Sequence, residues 1–293
     1  MCSKRSNVHL FTSFSFVLLA VLFGLWLNAT PANAVVAPHD LDSKTAPSSI
    51  CYIEMWDGST DAQAPDGDIA LAPPSSACSG TLISNNRVLT AAHCIPAVRN
   101  SQRDLVTCGN GIDSSIKGYA SNPAYENEQA SADLHDVAVL DLESPQKPGA
   151  KHFIAPLALA STQAQINTIL SQPANCNLWG YGRNDDSTTD NSWGTLRGAN
   201  IDYLAPSVLE ADTGWIDSPQ DIYVGPEIHA APGDSGGPII CQAADGSLVQ
   251  IATTMIEGHT TVGPIPSYSV HEMTYFNIDW INAQIALDHL PNN

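Results

Sequence analysis

The sequence predicts an all-β protein of many short antiparallel strands, closed by one helix near its C-terminal end. Three observations predict it. Glycine and proline, 20 of each in 293 residues, are spread along the chain, as turns between short strands require. Residues 136–142 read as a strand with Val137 and Val139 on one face and Ala138, Leu140 and Leu142 on the other; both faces are apolar, so the strand belongs at the centre of a sheet. Only near the end does the period change. Ile278, Ile281 and Ile285 recur at helical spacing over about 278–290, with Asn277 placed to cap the start.

The remaining elements follow in chain order. Residues 1–34 read as an export signal: Lys4 and Arg5 form a basic start, 10–27 an apolar run, and Ala32-Asn33-Ala34 a small-residue cleavage signature. Cleavage after Ala34 gives a mature start at Val35. The apolar run is also long enough to serve as an uncleaved anchor, but the signature directly behind it favours cleavage. Residues 35–49, with Pro38 and Pro47, form an irregular arm, and 50–56 alternate as a first strand. A polar, proline-containing loop occupies 57–76. Residues 81–83 and 87–90 form a hairpin about Asn85-Asn86, and 105–108 a short strand. From 143 to about 172 the pattern weakens among Pro145, Pro148 and Pro156, which marks a linker between a first half (about 50–145) and a second (about 170–276). Strands follow near Leu178 and over 195–201, 238–241 and 248–254, with an acidic loop at 183–192.

Charge and cysteine usage narrow the function classes. Thirty acidic residues against 11 basic ones give a formal charge of −19, and the signal contains no acid, so its removal leaves the rest more acidic still. Such a surface excludes nucleic acid and anionic lipid as partners. No later segment is apolar enough to span a membrane. Cys2 leaves with the signal; Cys51, Cys78, Cys94, Cys108, Cys176 and Cys241 remain, an even set that suggests disulfides and a secreted or periplasmic location. Counting alone selects no pairing. No cofactor and no metal are expected: His271-Glu272 is followed by Tyr275 where a second zinc histidine is needed. Trp179, Trp193, Trp215 and Trp280 read as core or loop anchors rather than a sugar platform.

Three segments carry chemistry: Leu89-Thr90-Ala91-Ala92-His93-Cys94, His135-Asp136-Val137-Ala138-Val139-Leu140 and Gly233-Asp234-Ser235-Gly236-Gly237-Pro238. A serine among glycines sits on backbone that turns tightly and approaches a ligand. Consecutive N–H groups there can hold a developing negative charge. Serine needs a base to become a nucleophile, histidine supplies one near neutral pH, and a buried carboxylate fixes its tautomer. Alone, the glycine-flanked serine is a common turn.

Together the segments resemble the trypsin/chymotrypsin family of serine proteases, which carries T-A-A-H-C, D-I-A-L-L and G-D-S-G-G-P in that order with comparable gaps. The resemblance covers residues from about 50 to 280. It implies two six-stranded antiparallel β-barrels with a short C-terminal helix, a peptidase domain over 50–293, and a monomer acting on proteins or peptides. It implies Ser235 as nucleophile, His93 as general base, Asp136 as its partner, and the N–H groups of Gly233 and Ser235 as the oxyanion hole. Asp133 then reads as loop, Asp141 as a strand residue with a local polar partner, and His135 as exposed. The resemblance also pairs Cys78 with Cys94 and Cys176 with Cys241, which leaves Cys51 with Cys108.

The chain departs from the family in two places. The pocket floor, six residues before the nucleophile, is His229, so a preference for arginine or lysine is not supported. Ala231 stands where the family has a bracing cysteine, and Thr253-Thr254-Met255 replaces the S-W-G edge, so His229, Thr253 and Met255 are the pocket candidates. His229 either recognises an acidic or polar side chain or merely packs. No I-V-G-G terminus occurs, but signal cleavage exposes Val35-Val36, whose amine is then available to Asp234; the alternatives are an internal partner for Asp234 or cleavage near Lys44. Two rivals are a silent protease-like binding protein or adhesin, and an esterase; the first usually lacks a triad member, and the second lacks its G-x-S-x-G pattern here.

Overall fold

β-Branched and aromatic residues open the first strand, Ile50–Trp56 (β1), and its neighbours follow in the computed structural model: Ser76–Leu82 (β2), Arg87–Thr90 (β3), Arg103–Cys108 (β4), Ile112–Ser114 (β5), Ile116–Ser121 (β6) and Ala138–Leu142 (β7). The structure describes residues 35, 41–57, 74–101, 103–109, 112–125, 135–172, 175–183, 193–201, 203–204, 220–259 and 267–291. The chain divides into Met1–Pro31 and Ala32–Asn293, and every described residue belongs to the second unit. Residues 1–34, expected as an export signal, Asp133, Trp215 and most of the 57–76 and 183–192 segments, expected as loops, lie outside the described residues.

Two antiparallel sheets result. The first runs β5-β4-β1-β2-β3-β7-β6. The second is built from Ala158–Leu159 (β8), Cys176–Gly180 (β9), Arg197–Asn200 (β10), Tyr203–Leu204 (β11), Asp221–Val224 (β12), Pro238–Gln242 (β13), Leu248–His259 (β14) and Ser267–Met273 (β15). Its order is β10-β9-β13-β14-β15-β12-β11, with β8 alongside β14 in parallel. The described sheets thus hold seven and eight strands rather than six each. The additional ones are short: β5 has three residues, β8 and β11 two.

The central strand was legible because both of its faces are apolar. β7 lies between β3 and β6. Ala138, Leu140 and Leu142 pack with Ile53, Val88 and Val106 inside the first sheet, whereas Val137 and Val139 pack outward with Leu89, Ile281 and Leu290. The outer layer includes the C-terminal helix Ile278–Ala286, in which Ile281 is fully buried. The second core gathers Leu178, Ile222, Ile239 and Ile251.

Several expectations need correction. The helix Ile95–Asn100 (α1) follows directly on Cys94. The segment expected as a linker contains β8 and the helix Gln163–Leu170 (α2), started by Thr162, whose hydroxyl accepts the Gln165 N–H at 3.2 Å and whose helix buries Ile166 and Ile169. β15 carries no apolar alternation because it buries Ser269, His271 and Glu272. Asn277 does precede the last helix (α3, Ile278–Ala286), but its side chain makes no cap; it bonds Glu272 and Asn122 instead. His135 is half-buried and hydrogen-bonded rather than exposed. Asp141, by contrast, is the strand residue with a polar partner that was expected: it meets the buried guanidinium of Arg87. Trp179 is buried, and Arg183 stacks 4.5 Å above the Trp193 ring.

Candidate active site

Register brings the first two site residues together. Thr90, the last residue of β3, pairs with Ala138, the first of β7. Three residues beyond Thr90, a 3-10 turn over Ala92–Cys94 holds His93. Two residues before Ala138 stands Asp136, 2% exposed against 29% for the His93 side chain. The His93 backbone N–H donates to Asp136 Oδ1 at 2.8 Å, and Nδ1 lies 2.6 Å from Oδ2. Both carboxylate oxygens therefore serve one histidine. A carboxylate at Nδ1 places the ring hydrogen there and leaves Nε2 as the basic nitrogen. The Cys78–Cys94 disulfide fastens the same turn to β2.

Ser235 sits on a turn ahead of β13 that only this glycine pattern accommodates. Gly233 and Gly236 have φ of 98° and 80°, the left-handed region that side chains avoid. The Gly236 N–H donates to Thr254 O and the Gly237 N–H to Asp234 O, both at 2.8 Å. Ser79 on β2 fixes the turn from the first sheet. Its N–H donates to Ser235 O at 2.8 Å, and its hydroxyl donates to Gly233 O and accepts the Tyr181 N–H, each at 2.9 Å. Sequence reasoning missed Ser79, since a serine inside a strand carries no motif.

Asp234 is fully buried beneath this turn. Gly182 and Ala231 donate backbone N–H groups to it at 2.8 and 2.9 Å, and the Val35 N–H does the same. Burial outweighs these bonds and pushes its pKa up to about 6. A Cβ on Gly182 would lie 2.7 Å from the Asp234 carboxyl carbon, so close approach requires glycine there.

His93 and Ser235 open onto one cavity of about 170 Å³, walled by Ala230, Ala231, Pro232, Thr254 and Met255. Larger surface hollows of about 340 and 310 Å³ lie elsewhere and contain none of these residues. Of the pocket candidates, Met255 lines the cavity. His229 and Thr253 are buried, 3% and 0% exposed, and are not among its lining. Thr254 faces it instead, backed by His271. That imidazole lies 3.0 Å from Thr254 Oγ1 through Nδ1 and 2.7 Å from Ser269 Oγ through Nε2, and Ser269 Oγ accepts the Ala230 N–H at 3.0 Å. Burial lowers the His271 pKa to about 3, so the ring is neutral and ties two walls of the cavity together.

All three expected disulfides are present: Cys51–Cys108 and Cys176–Cys241 join directly opposed residues of neighbouring strands, and Cys78–Cys94 brackets the histidine turn. Among the described residues no helix is long and apolar enough to cross a membrane, and no group of three or more His, Cys, Asp or Glu side chains is placed to hold a metal ion.

Against known proteins, the family model described as Trypsin matches residues 57–281, which include the triad candidates and every strand of the two sheets except β1. The chain belongs to the trypsin family of serine endopeptidases. Three relatives share about a quarter of the aligned residues with it. Human (Homo sapiens) granzyme B is 26% identical over 245 residues, 79% of this chain and 87% of the relative. Chymotrypsin-like elastase family member 1 of Macaca fascicularis is 26% identical over 224 residues, 71% and 79% of the two chains. The thrombin-like enzyme kangshuanmei of Gloydius brevicauda is 24% identical over 216 residues, 71% and 85%.

Proposed function

We propose that this protein is an exported endopeptidase that hydrolyses peptide bonds through an acyl-enzyme intermediate. One observation carries the reading: the His93–Asp136 pair and Ser235 open onto a single cavity, with both carboxylate oxygens of Asp136 spent on His93. Ser235 Oγ attacks the scissile carbonyl as His93 Nε2 accepts its proton. Asp136 holds the ring and stabilises the imidazolium. The N–H groups of Gly233 and Ser235 stabilise the tetrahedral oxyanion. The imidazolium returns its proton to the leaving amine, and water then repeats the sequence on the ester. Replacing Ser235 by alanine should abolish labelling by a fluorophosphonate and lower kcat by about 10⁶-fold. Undiminished casein turnover by Ser235→Ala refutes the assignment, and labelling without casein turnover favours an esterase.

The described lining supplies no carboxylate to attract a basic side chain, and its small apolar residues suit an uncharged one. Export fits the three disulfides and the basic, apolar and small-residue order of residues 1–34. Proteins or peptides are its substrates, and the peptidase domain spans 50–293.

Cleavage after Ala34 also activates the enzyme in this reading. Val35 is fully buried, and its N–H already points to Asp234. Its φ of 41° is costly for a β-branched residue in an intact chain. Cleavage removes that restraint and converts the N–H into an ammonium group beside a buried carboxylate. N-terminal sequencing of the active form tests this; a start well beyond Val35 refutes it.

A further inference from the structure

Behind the His93–Asp136 pair lies a second carboxyl group that peptide hydrolysis, as set out above, does not use. Glu272 belongs to β15 of the second sheet and is fully buried, yet it accepts hydrogen bonds from the first sheet's side. Its Oε1 accepts the His135 N–H at 3.0 Å and a hydrogen from Asn277 Nδ2. The N–H of Asp136 itself donates to the same carboxyl group. Asn277 Oδ1 accepts from Asn122 Nδ2 at 2.7 Å and lies 2.8 Å from His135 Nδ1. The two residues that present Asp136 to His93 are thus gripped from the opposite sheet.

The grip answers a local cost. His135 has φ of 66°, a left-handed conformation that a non-glycine residue holds only when its surroundings over-determine it. Here the N–H and the ring of His135 are both fixed by the Glu272–Asn277 pair.

Burial, and after it neighbouring charge, explains why an acid at this place carries a proton. Among the described residues, the titratable groups facing Glu272 are His135 and Asp136 from the first sheet and Asp221, its register partner on β12. His271, the preceding residue on β15, is engaged on the other face with Thr254 and Ser269. Two neighbouring carboxyl groups at a buried site oppose a further negative charge. Burial, followed by Asp221 and Asp136, pushes the Glu272 pKa up to about 8. The His135 N–H and Asn277 Nδ2 both donate to Oε1, so the proton belongs on Oε2, which has no hydrogen-bond partner among the described residues.

We propose that Glu272 is a positioning residue for the triad: as a neutral acid it clamps the His135–Asp136 backbone across the two sheets and leaves Asp136 as the negative charge behind His93. The inference rests on the triad reading above. Loss of the Glu272 proton at alkaline pH sets a second charge beside Asp136, stabilises the His93 imidazolium and so removes free base.

The test is the pH profile of kcat and KM for the mature enzyme, Glu272→Gln and Glu272→Leu, together with the low-field Nδ1 proton resonance of His93. The leucine variant strands the His135 and Asp136 N–H groups, and kcat should fall about 10- to 100-fold at pH 7 with little change in KM. Glutamine, an isostere of the neutral acid, should restore most of that loss. It should also remove the inflection that wild type shows near pH 8, both in kcat/KM and in the resonance. Superposable wild-type and Glu272→Gln profiles overturn the proposal, as does wild-type kcat in Glu272→Leu. Should the leucine variant not fold, the glutamine comparison decides alone. Failure of Ser235 to react with a fluorophosphonate sinks the triad reading separately, because the His93 resonance reports on Glu272 without turnover.

Discussion

Replacing Arg87 by methionine should destabilise this fold by about 3–5 kcal/mol, the range for breaking a buried ion pair from one side. The guanidinium is 1% exposed, as is Asp141, its register partner on β7. Its Nη1 bonds Asp141 Oδ1, while Nη2 donates to Leu287 O at 2.6 Å and Nε to Gln284 O at 3.4 Å. One side chain thus joins β3 and β7, the strands leading to His93 and away from Asp136, to the end of α3. Methionine fills similar volume but leaves the Asp141 carboxylate without its guanidinium partner. Asn86 still donates to Oδ1 at 3.0 Å, and Lys117 and His289 stand 3.8 and 4.0 Å from Oδ2, but Lys117 is 41% and His289 71% exposed, so they compensate little. The two lost carbonyl bonds, about 1 kcal/mol each and less where water replaces the donor, favour the upper part of that range. Urea unfolding in a Ser235→Ala background, with disulfides intact, avoids self-digestion. At about 2–4 °C per kcal/mol the melting temperature should fall by roughly 6–20 °C. Arg87→Met combined with Asp141→Leu should recover to within about 1–2 kcal/mol of the parent, since a well-packed apolar pair replaces a buried ion pair at little net cost. A loss under 1 kcal/mol in the single variant, or no recovery in the double, refutes the reasoning.

Other outcomes follow from the site. Acetylating the Val35 amine should cut kcat/KM by at least about tenfold, because the Asp234 carboxylate then lacks a buried counter-ion; unchanged kinetics in the acetylated enzyme contradict the activation scheme. Met255→Gly should enlarge the cavity and raise kcat/KM for large apolar residues relative to alanine by roughly tenfold, measured on a peptide library; an unaltered ranking removes Met255 from the pocket. Glu272 titrates higher in the folded protein, at about 8 against 4.5, so the folded state binds the extra proton between these values and stability falls as pH rises through them. The loss is on the order of 3–5 kcal/mol. Glu272→Gln should flatten that decline in urea titrations at pH 5 and 8, and an equal decline in both proteins counts against a raised Glu272 pKa.

The sequence by itself determined what depends on local chemistry and on simple patterns. A strand apolar on both faces and a helical isoleucine repeat mark β7 and α3, and the three motif segments single out His93, Asp136 and Ser235 as the candidate triad. What it missed depends on distant partners. β15 gave no pattern because its polar residues are buried, and such residues are stable inside only when groups far along the chain meet them: Thr254 for His271, Asn277 and the His135–Asp136 backbone for Glu272. The cavity wall was misplaced for a similar reason. Alternation along β14 decides whether Thr253 or Thr254 faces the substrate space, and one residue of register reverses the answer. Motif chemistry is written in neighbouring residues; the support behind it and the shape in front of it are set by packing between strands, which only the tertiary structure decides.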